Sequence, residues 1–314
     1  MISGTLLKIY KMGTPGFYHT TVLLQEAVDG LAIKENGVYV DATFGGGGHS
    51  RLILEKLGPQ GKLIAFDQDA DAWKNKPDDE RLIPVTENFK YLKRFLRLHG
   101  QSEVDGILAD LGVSSFQFDT AERGFSIRFD GPLDMRMDKR SELTAAEVLK
   151  TYSEQQLHTL FEQYGEVRNS KELAKHIVAQ RKGRTVQSIA ALKATLEPVM
   201  RGNPNKYLAQ VFQALRIEVN DELGALKEFL QQAAVSLKPG GRLSVISFHS
   251  LEDRIVKHYI KRGRWDEAGE YEEAIVPLLK PVNAKPIEPG DAEIKNNPRS
   301  RSARLRIGEK VPSS

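Results

Sequence analysis

Four consecutive glycines at residues 45–48 limit the possible folds more than any other part of the chain. A short apolar segment, Val38–Val40, precedes them, and an amphipathic segment from Ser50 to Leu57 follows. A buried strand that runs into bare glycines before a helix lets backbone N–H groups at the helix N-terminus approach a ligand closely. A simple tight turn needs only one or two glycines. We therefore interpret this segment as a ligand-binding loop.

Three ligand classes compete for such a loop. A phosphate-binding loop requires a lysine after its last glycine, and none follows here. The dinucleotide pattern G-x-G-x-x-G also fails, because Ser50 or Arg51 stands where its last glycine belongs. The loop that holds S-adenosylmethionine tolerates this sequence and commonly follows a strand with an acidic residue, as Asp41 is here. Asp67, twenty residues after Gly47, has the spacing that accepts hydrogen bonds from ribose hydroxyls, but NAD also carries a ribose.

Short apolar runs alternate with amphipathic stretches in the first half of the chain, which predicts right-handed βαβ units and a parallel sheet. The runs are too short for helices and rich in β-forming residues: Val38–Val40, Leu63–Phe66, Leu82–Val85 and Gly106–Ala109. From about residue 143 to 206 helical periodicity replaces the strand pattern. A turn at 237–242 and a further strand to residue 247 follow. We predict a helical module inserted between two strands of the sheet.

The C-terminal part adds three expectations. Residues 211–230 have the periodicity of one long helix. Residues 264–298 hold five of the fourteen prolines and predict a long, poorly ordered loop. Residues 302–307 alternate apolar and polar side chains, as an edge strand does. At the other end, residues 1–16 are expected to be a dispensable extension.

Composition excludes several classes of protein. A hydrophobic content of 40% and a net charge of +3 exclude disorder, and no apolar run approaches the length of a membrane span, so we expect a cytoplasmic protein. Because the chain has no cysteine, disulfide scaffolds, thiolate metal sites and a covalent cysteine adduct are also excluded. We expect no metal site, since the seven histidines are scattered and no cluster has ligand spacing.

The turn Leu237-Lys-Pro-Gly-Gly before a strand favours a methyl donor over NAD. With Asp41 and the acidic residue after the second strand, it resembles the fifth-strand signature of Rossmann-like methyltransferases, which dehydrogenases lack. Asp110 ends the fourth strand, where that fold places the group facing the transferring methyl. Ligands bind in the crevice outside the carboxyl ends of such strands.

Seven segments, in order over about residues 17–307, resemble the RsmH (MraW) family of small-subunit ribosomal RNA cytosine-N4 methyltransferases. They are His19–Leu24, Thr43–Ser50, Asp105–Ser115, Glu122–Ser126, Gly131–Asp138, Ser247–Ile255 and Asn297–Ser302. The sequence departs from the family pattern at Phe116, where proline is usual, and at Asn203-Pro204, where the family has a segment with His and Arg.

The resemblance implies an α/β fold with a Rossmann-like class I S-adenosylmethionine methyltransferase sheet and an inserted all-helical domain. The sheet domain would comprise 17–140 and 209–314, and the helical substrate-recognition domain 141–208. The implied reaction methylates the N4 amine of a decoding-centre cytosine of 16S rRNA, cytosine 1402 in the usual rRNA numbering. S-adenosyl-L-methionine would be held by Gly47, Gly48, His49, Asp67, Phe89, Asp110 and Gln117.

The catalytic candidates are Asp110, Ser114 and Ser115, because an exocyclic amine needs a hydrogen-bond acceptor and must lose a proton. His249 follows the fifth strand; it is either a proton shuttle or a support for a helix start, since Ser250 and Asp253 have capping-box spacing. The segment 131–138 is either a substrate lid or an ion-paired hinge into the helical module.

Two basic stretches predict a nucleic-acid partner. Residues 181–206 and 295–310 each contain six basic side chains against one acidic: Arg181, Lys182, Arg184, Lys193, Arg201 and Lys206 in the first, and Lys295, Arg299, Arg301, Arg304, Arg306 and Lys310 in the second. The expected partner is 16S rRNA in the small subunit or in a late assembly intermediate. A nicotinamide dehydrogenase and a non-catalytic assembly factor remain alternatives, and the oligomeric state is open.

Overall fold

The computed structural model describes residues 21–183, 185–265 and 276–312. The predicted extension at 1–16 lies outside these residues. So does the acidic stretch 266–273 of the loop predicted over 264–298. Within the described part, seven strands form one sheet in the order β3-β2-β1-β4-β5-β7-β6. They are β1 Val38–Asp41, β2 Lys62–Phe66, β3 Leu82–Val85, β4 Val104–Asp110, β5 Leu237–Ser247, β6 Leu279–Pro281 and β7 Arg304–Lys310. The first five pair in parallel, and β7 runs antiparallel between β5 and β6. The predicted α/β fold is confirmed.

Helices cover both faces of the sheet. In the described chain they are α1 Leu24–Asp29, α2 Gly48–Lys56, α3 Leu92–Leu98, α4 Ser115–Asp119, α5 Ala145–Thr151, α6 Glu154–Gln163, α7 Ser170–Gln180, α8 Ile189–Leu196, α9 Pro204–Asn220, α10 Glu222–Ser236, α11 Ser250–Arg262 and α12 Asp291–Asn296. Successive strand residues point to opposite faces. Tyr39 therefore packs with α1 and α2, while Val40 packs with α3, α10 and α11.

A third core lies in the inserted helices. Its buried residues run from Phe125 to Val219 and come from α5 to α9 and from the loop before them. The boundary predicted between 208 and 209 falls inside α9. We propose that the helical unit extends over about residues 125–220, because its core draws on the whole of that range.

The one long helix predicted over 211–230 is wrong. The chain forms α9 and α10 instead, joined at Asp221, whose φ of 48° is left-handed. A residue in that conformation cannot continue a right-handed helix, so the chain turns between Asn220 and Glu222. Helical periodicity on both sides of the break hides it from sequence analysis.

Three expectations about the C-terminal part also change. The strand β7 is not at the edge, because β6 covers its outer side. Within the predicted loop over 264–298, the described part, 276–298, contains β6 and α12. The turn at 237–242 belongs to β5, where Val104 pairs with Leu237 and Gly106 with Arg242, so the residues between them form a bulge. Long-range pairing supplies the backbone partners that local sequence does not reveal.

Candidate active site

A cleft opens outside the carboxyl ends of the five parallel strands. It encloses about 1240 Å³ of space, open to solvent. The loops after these strands supply most of its lining. The rest comes from the residues before α1, from Met137, from the junction of α9 and α10 and from the segment after α12. This is the place where the predicted parallel sheet is expected to bind a ligand.

The glycine loop forms one wall of the cleft. Gly48 and His49 line it. A Cβ on Gly48 would lie 1.9 Å from Thr21 Oγ1, so only glycine fits there. Gly47 does not line the cleft; its φ is 77°, and a Cβ would lie 2.8 Å from the Phe44 ring, so this glycine shapes the loop.

Asp41 fixes the loop from below. Its carboxylate accepts hydrogen bonds from Ser50 Oγ at 2.7 Å and from the Thr43 N–H at 3.1 Å. Burial raises the pKa of Asp41 to about 6, although both hydrogen bonds lower it. The acidic residue on the first strand therefore ties the strand end to the helix start.

Asp67 lies at the end of β2 and lines the same cleft. Its Oδ2 accepts from the Gly45 N–H and its Oδ1 from the Asp69 N–H, both at 2.8 Å. Burial raises the pKa of Asp67 to about 7, and the nearby Asp69 and Asp41 raise it further, against these two hydrogen bonds. Asp67 thus couples the second strand to the glycine loop.

Phe89 and Gln117 also line the cleft. The Phe89 ring packs edge-to-face on Phe229, with centroids 5.1 Å apart. Gln117 forms a capping box with Ser114 at the start of α4, and its Nε2 donates to Asp69 at 2.8 Å. The departure at Phe116 therefore leaves Gln117 in a well-formed helix turn.

Asp110 lies at the end of β4, and Ser114 and Ser115 follow it around the cleft. The Asp110 N–H donates to Thr43 Oγ1 at 2.6 Å, and Oδ2 lies 3.8 Å from His49 Nδ1. Its Oδ1 is buried without a hydrogen-bond partner among the described residues. Burial, and then the neighbouring acidic groups, raise the pKa of Asp110 well above its ordinary value.

His249 is the N-cap of α11. Its Nδ1 accepts from the Glu252 N–H at 3.4 Å, so the helix start uses His249 and not the predicted Ser250–Asp253 box. His249 is not among the residues that line the cleft. Its role as a proton shuttle stays a prediction.

Sequence analysis missed three acidic residues of the cleft, Glu87, Glu222 and Glu252. Arg216 donates to both oxygens of Glu222, at 2.8 and 3.0 Å. Asn220 accepts from the Met137 N–H at 2.7 Å and so ties the cleft to the segment before α5. The available signal was the polar run Asn220-Asp-Glu222 inside an apolar periodicity.

Glu222, His249 and Glu252 bring one potential ligand atom each to within 4.8 Å of one another. The spacing of these residues in the sequence did not reveal this grouping. Because Arg216 already compensates the charge of Glu222, we assign no metal to the group.

The segment 131–138 is held by ion pairs. Arg136 donates to both oxygens of Asp134 at 2.8 Å, and Arg123 donates to the carbonyls of Arg136 and Met137. Arg123 also pairs with Asp69 at 2.6 Å, and both side chains are buried. These contacts favour the hinge interpretation over a mobile lid.

Arg299 lines the cleft and donates two hydrogen bonds to Asp119, at 2.6 and 3.0 Å. Its guanidinium also lies 4.7 Å from the centroid of the Phe118 ring, and Arg128 lies 5.3 Å from the same ring. The segment after α12 is thereby fastened to α4.

Several basic residues expected to face a partner are internally paired. Arg306 and Arg304 bind Asp253, with shortest distances of 2.7 and 3.3 Å. Lys310 is buried and donates to the Ala234 carbonyl, and Arg181 donates to two backbone carbonyls at the C-terminal end of α5. Other members of the two stretches remain exposed, namely Lys182, Lys206, Lys295 and Arg301.

The strand order, the glycine loop after β1 and the acidic residue after β2 are those of the Rossmann-like fold of class I S-adenosylmethionine methyltransferases. The chain belongs to the MraW methylase family, whose family model matches residues 16–311. Of the described helices, none is long and apolar enough to cross a membrane.

Two relatives illustrate the similarity, and both are named ribosomal RNA small subunit methyltransferase H. The relative from Christiangramia forsetii is 53% identical over 298 residues, or 94% of this chain and 98% of its own. The relative from Flavobacterium johnsoniae is 54% identical over 304 residues, which cover 96% of this chain and 100% of its own. Among solved structures, an rRNA methylase from Streptococcus thermophilus is 12% identical with a TM-score of 0.41, covering 94% of this chain and all of its own, and adds nothing to the family assignment.

Proposed function

We propose that this protein methylates the N4 exocyclic amine of a cytosine in small-subunit rRNA, cytosine 1402 of the decoding centre, with S-adenosyl-L-methionine as donor. The observation that carries the proposal is identity above 50% over nearly the whole chain to relatives named ribosomal RNA small subunit methyltransferase H. Six of the seven segments that resemble this family contribute lining residues to one cleft.

The cleft fits S-adenosyl-L-methionine. Asp110 lines it, and its Oδ1 has no hydrogen-bond partner among the described residues, so this carboxyl group is available to a polar group of the ligand. Phe89 offers an aromatic surface for adenine, and Asp67 offers carboxylate oxygens for ribose hydroxyls. Gly48 and His49 bring the backbone of a helix start close to the ligand. Gly47 supports this loop from behind.

S-adenosyl-L-methionine supplies a methyl group on a positively charged sulfur. The acceptor amine is a weak nucleophile, because its lone pair is delocalised into the pyrimidine ring. The protein therefore has to orient the amine, exclude water and accept a proton as positive charge develops on nitrogen. Asp110, Ser114 and Ser115 lie in the cleft and are placed to orient the amine.

The proposed substrate is 16S rRNA in the small subunit or a late assembly intermediate, in the cytoplasm. Its cytosine has to leave the base stack to enter the cleft. The exposed lysines and arginine of the two basic stretches would neutralise phosphates around it.

Mass spectrometry of rRNA from a strain that lacks this protein tests the proposal. We expect loss of the N4-methyl group at the target cytosine and its return with the wild-type protein. An unchanged methylation pattern would leave a non-catalytic assembly factor as the better reading. Titration calorimetry with S-adenosylmethionine and with NAD separates the remaining alternative, since binding of NAD alone would indicate a dehydrogenase. Purified enzyme acting on free 16S rRNA or on intact small subunits identifies the substrate form.

A further inference from the structure

Two carboxylates that the donor site does not use face the cleft beside Asp110. Glu222 is the first residue of α10, and Glu252 lies in the first turn of α11. We call Glu222, Glu252 and Asp110 the acidic wall. The sequence positions are far apart, and the wall forms because α10 and α11 pack against each other beside the ends of β4 and β5.

The three members of the acidic wall differ in what compensates them. Arg216 binds both oxygens of Glu222, so that carboxylate is already paired. Oε2 of Glu252 accepts from the Phe248 N–H at 2.9 Å. Its Oε1 lies 3.2 Å from His249 Nε2, an atom that has no hydrogen-bond partner among the described residues. Glu252 is thus held in place by one oxygen while the other has no aligned donor from His249.

The protonation states of Glu252 and Asp110 are driven apart. Burial works to raise the pKa of Glu252, but His249, Arg216 and the Phe248 N–H together hold it below its ordinary value. Burial raises the pKa of Asp110, and the charges of Asp41, Glu252 and Glu293 raise it further. When two nearby carboxyl groups have opposed shifts, the one with the lower pKa stays ionised and is free to accept a hydrogen bond or a proton, while the other already holds a proton more readily.

We propose that Glu252 is a catalytic residue that accepts the hydrogen bond and then the proton of the target amine, and that it makes the cleft select cytosine over uracil. This rests on the proposed function. Arg216, Glu222 and His249 would be positioning residues that keep Glu252 ionised and fixed.

The transfer balances with these groups. The nitrogen–methyl bond forms as the sulfur–methyl bond breaks, one N4 proton passes to the Glu252 carboxylate, and the sulfur product leaves uncharged. Uracil has a carbonyl oxygen in place of the amine. Two acceptors would then face each other without a donor, which a buried site penalises strongly.

The first test compares wild type with Glu252→Gln in methyl transfer to intact small subunits. We expect kcat to fall by about 100-fold or more, in the range of a lost general base, with the donor affinity within about threefold by calorimetry. A kcat within about threefold of wild type overturns the proposal. If the wild-type protein itself transfers no methyl group, the proposed function has failed and not this inference.

Asp253→Asn is the matched control, because Asp253 is the next residue of the same helix turn, is also buried, and binds Arg304 and Arg306 rather than facing the cleft. We expect it to lower the melting temperature and leave kcat unchanged. Glu252→Asp gives a second variant that keeps the negative charge; kcat should fall about tenfold and lie above that of Glu252→Gln. If Glu252→Gln does not fold, an unchanged kcat in Glu252→Asp overturns the proposal by itself.

A binding experiment gives a readout that does not depend on turnover. Small subunits that carry uracil at the target position should bind wild type about tenfold more weakly than subunits with cytosine. Glu252→Gln should narrow that ratio, because the glutamine amide donates to the uracil oxygen. An unchanged ratio removes the selectivity role. Saturable Mn²⁺ or Zn²⁺ binding to the free enzyme, abolished in Glu252→Gln, would make the group a cation site and overturn the proposal.

Discussion

At the scale of single residues, three carboxyl groups in and below the cleft differ in their burial and in their hydrogen bonds. Both carboxylate oxygens of Asp41 accept hydrogen bonds, one from Ser50 and one from Thr43, and these bonds fix the loop. Asp67 faces the cleft while it accepts from two backbone N–H groups. Asp110 is buried with an unpaired oxygen. Burial and hydrogen bonds thus give Asp41 a structural role and leave Asp67 and Asp110 available for contact with a ligand.

Replacing Asp67 by Ala should weaken S-adenosylmethionine binding by about 1–3 kcal/mol, because ribose hydroxyls would lose their acceptor in a desolvated site. Titration calorimetry measures the affinity, and circular dichroism checks the fold, since the variant also frees the N–H groups of Gly45 and Asp69. Glu55→Ala, on the exposed side of α2, is the control. Wild-type affinity in Asp67→Ala would rule out the ribose contact.

The raised pKa of Asp67 predicts a pH dependence. Its ordinary value is 3.8 and its value in the fold is about 7, so the folded protein holds a proton that the unfolded chain has lost. The stability that Asp67 contributes is therefore complete below about pH 4 and is lost as the pH rises through 7. Denaturant unfolding between these pH values should show a decline in the free energy of unfolding that Asp67→Asn reduces.

The same shift predicts that binding of the donor near pH 7 releases a proton from Asp67, because ribose hydroxyls donate to the ionised carboxylate. Calorimetry in two buffers of different ionisation enthalpy measures the number of protons released. Equal proton release in wild type and Asp67→Asn would contradict the assignment.

At the scale of elements, the break between α9 and α10 positions Asn220 and Glu222, which both line the cleft. Asp221 has a left-handed backbone, and its side chain makes no capping hydrogen bond. On its two sides, Asn220 fastens the hinge segment and Glu222 lines the cleft. One continuous helix could not place Asn220 against the hinge segment and Glu222 in the cleft at the same time.

Asp221→Gly should leave the stability close to wild type, whereas Asp221→Val should cost about 1–2 kcal/mol, because a β-branched residue resists a left-handed conformation. Chemical denaturation measures both variants. We also expect Asp221→Val to lower methyl transfer more than donor binding, since Glu222 is proposed to position Glu252 for the target amine. Equal stability of the two variants would show that the break does not depend on the conformation of this residue.

At the scale of the whole molecule, the net charge of +3 hides an uneven distribution. Part of the basic excess is internal: Arg306 and Arg304 join β7 to α11 through Asp253, and Lys310 is buried. Lys295 and Arg301 are exposed and lie close in sequence to Arg299, which lines the cleft. Exposed charges of this kind set the salt dependence of nucleic-acid binding.

The variant Lys295→Ala/Arg301→Ala should bind small subunits with a salt dependence reduced by about one phosphate contact per residue removed. Filter binding over a range of KCl concentrations measures the slope. The double variant Arg304→Ala/Arg306→Ala is the comparison: it should lower stability by about 3 kcal/mol, since Asp253 would be left as a buried unpaired charge, with little change in slope. The reverse pattern would place the RNA contacts on β7.

The sequence by itself determined the five parallel strands, the inserted helices, the glycine loop and the expected donor residues, because each has a local pattern of apolar spacing or a short motif. Only the tertiary structure decided that α9 and α10 break at Asp221, that β7 lies inside the sheet, and that Glu222 and Glu252 meet beside Asp110. It also paired Arg304 and Arg306 with Asp253. These features depend on contacts between segments distant in sequence, and burial and charge compensation at such contacts have no local pattern to read.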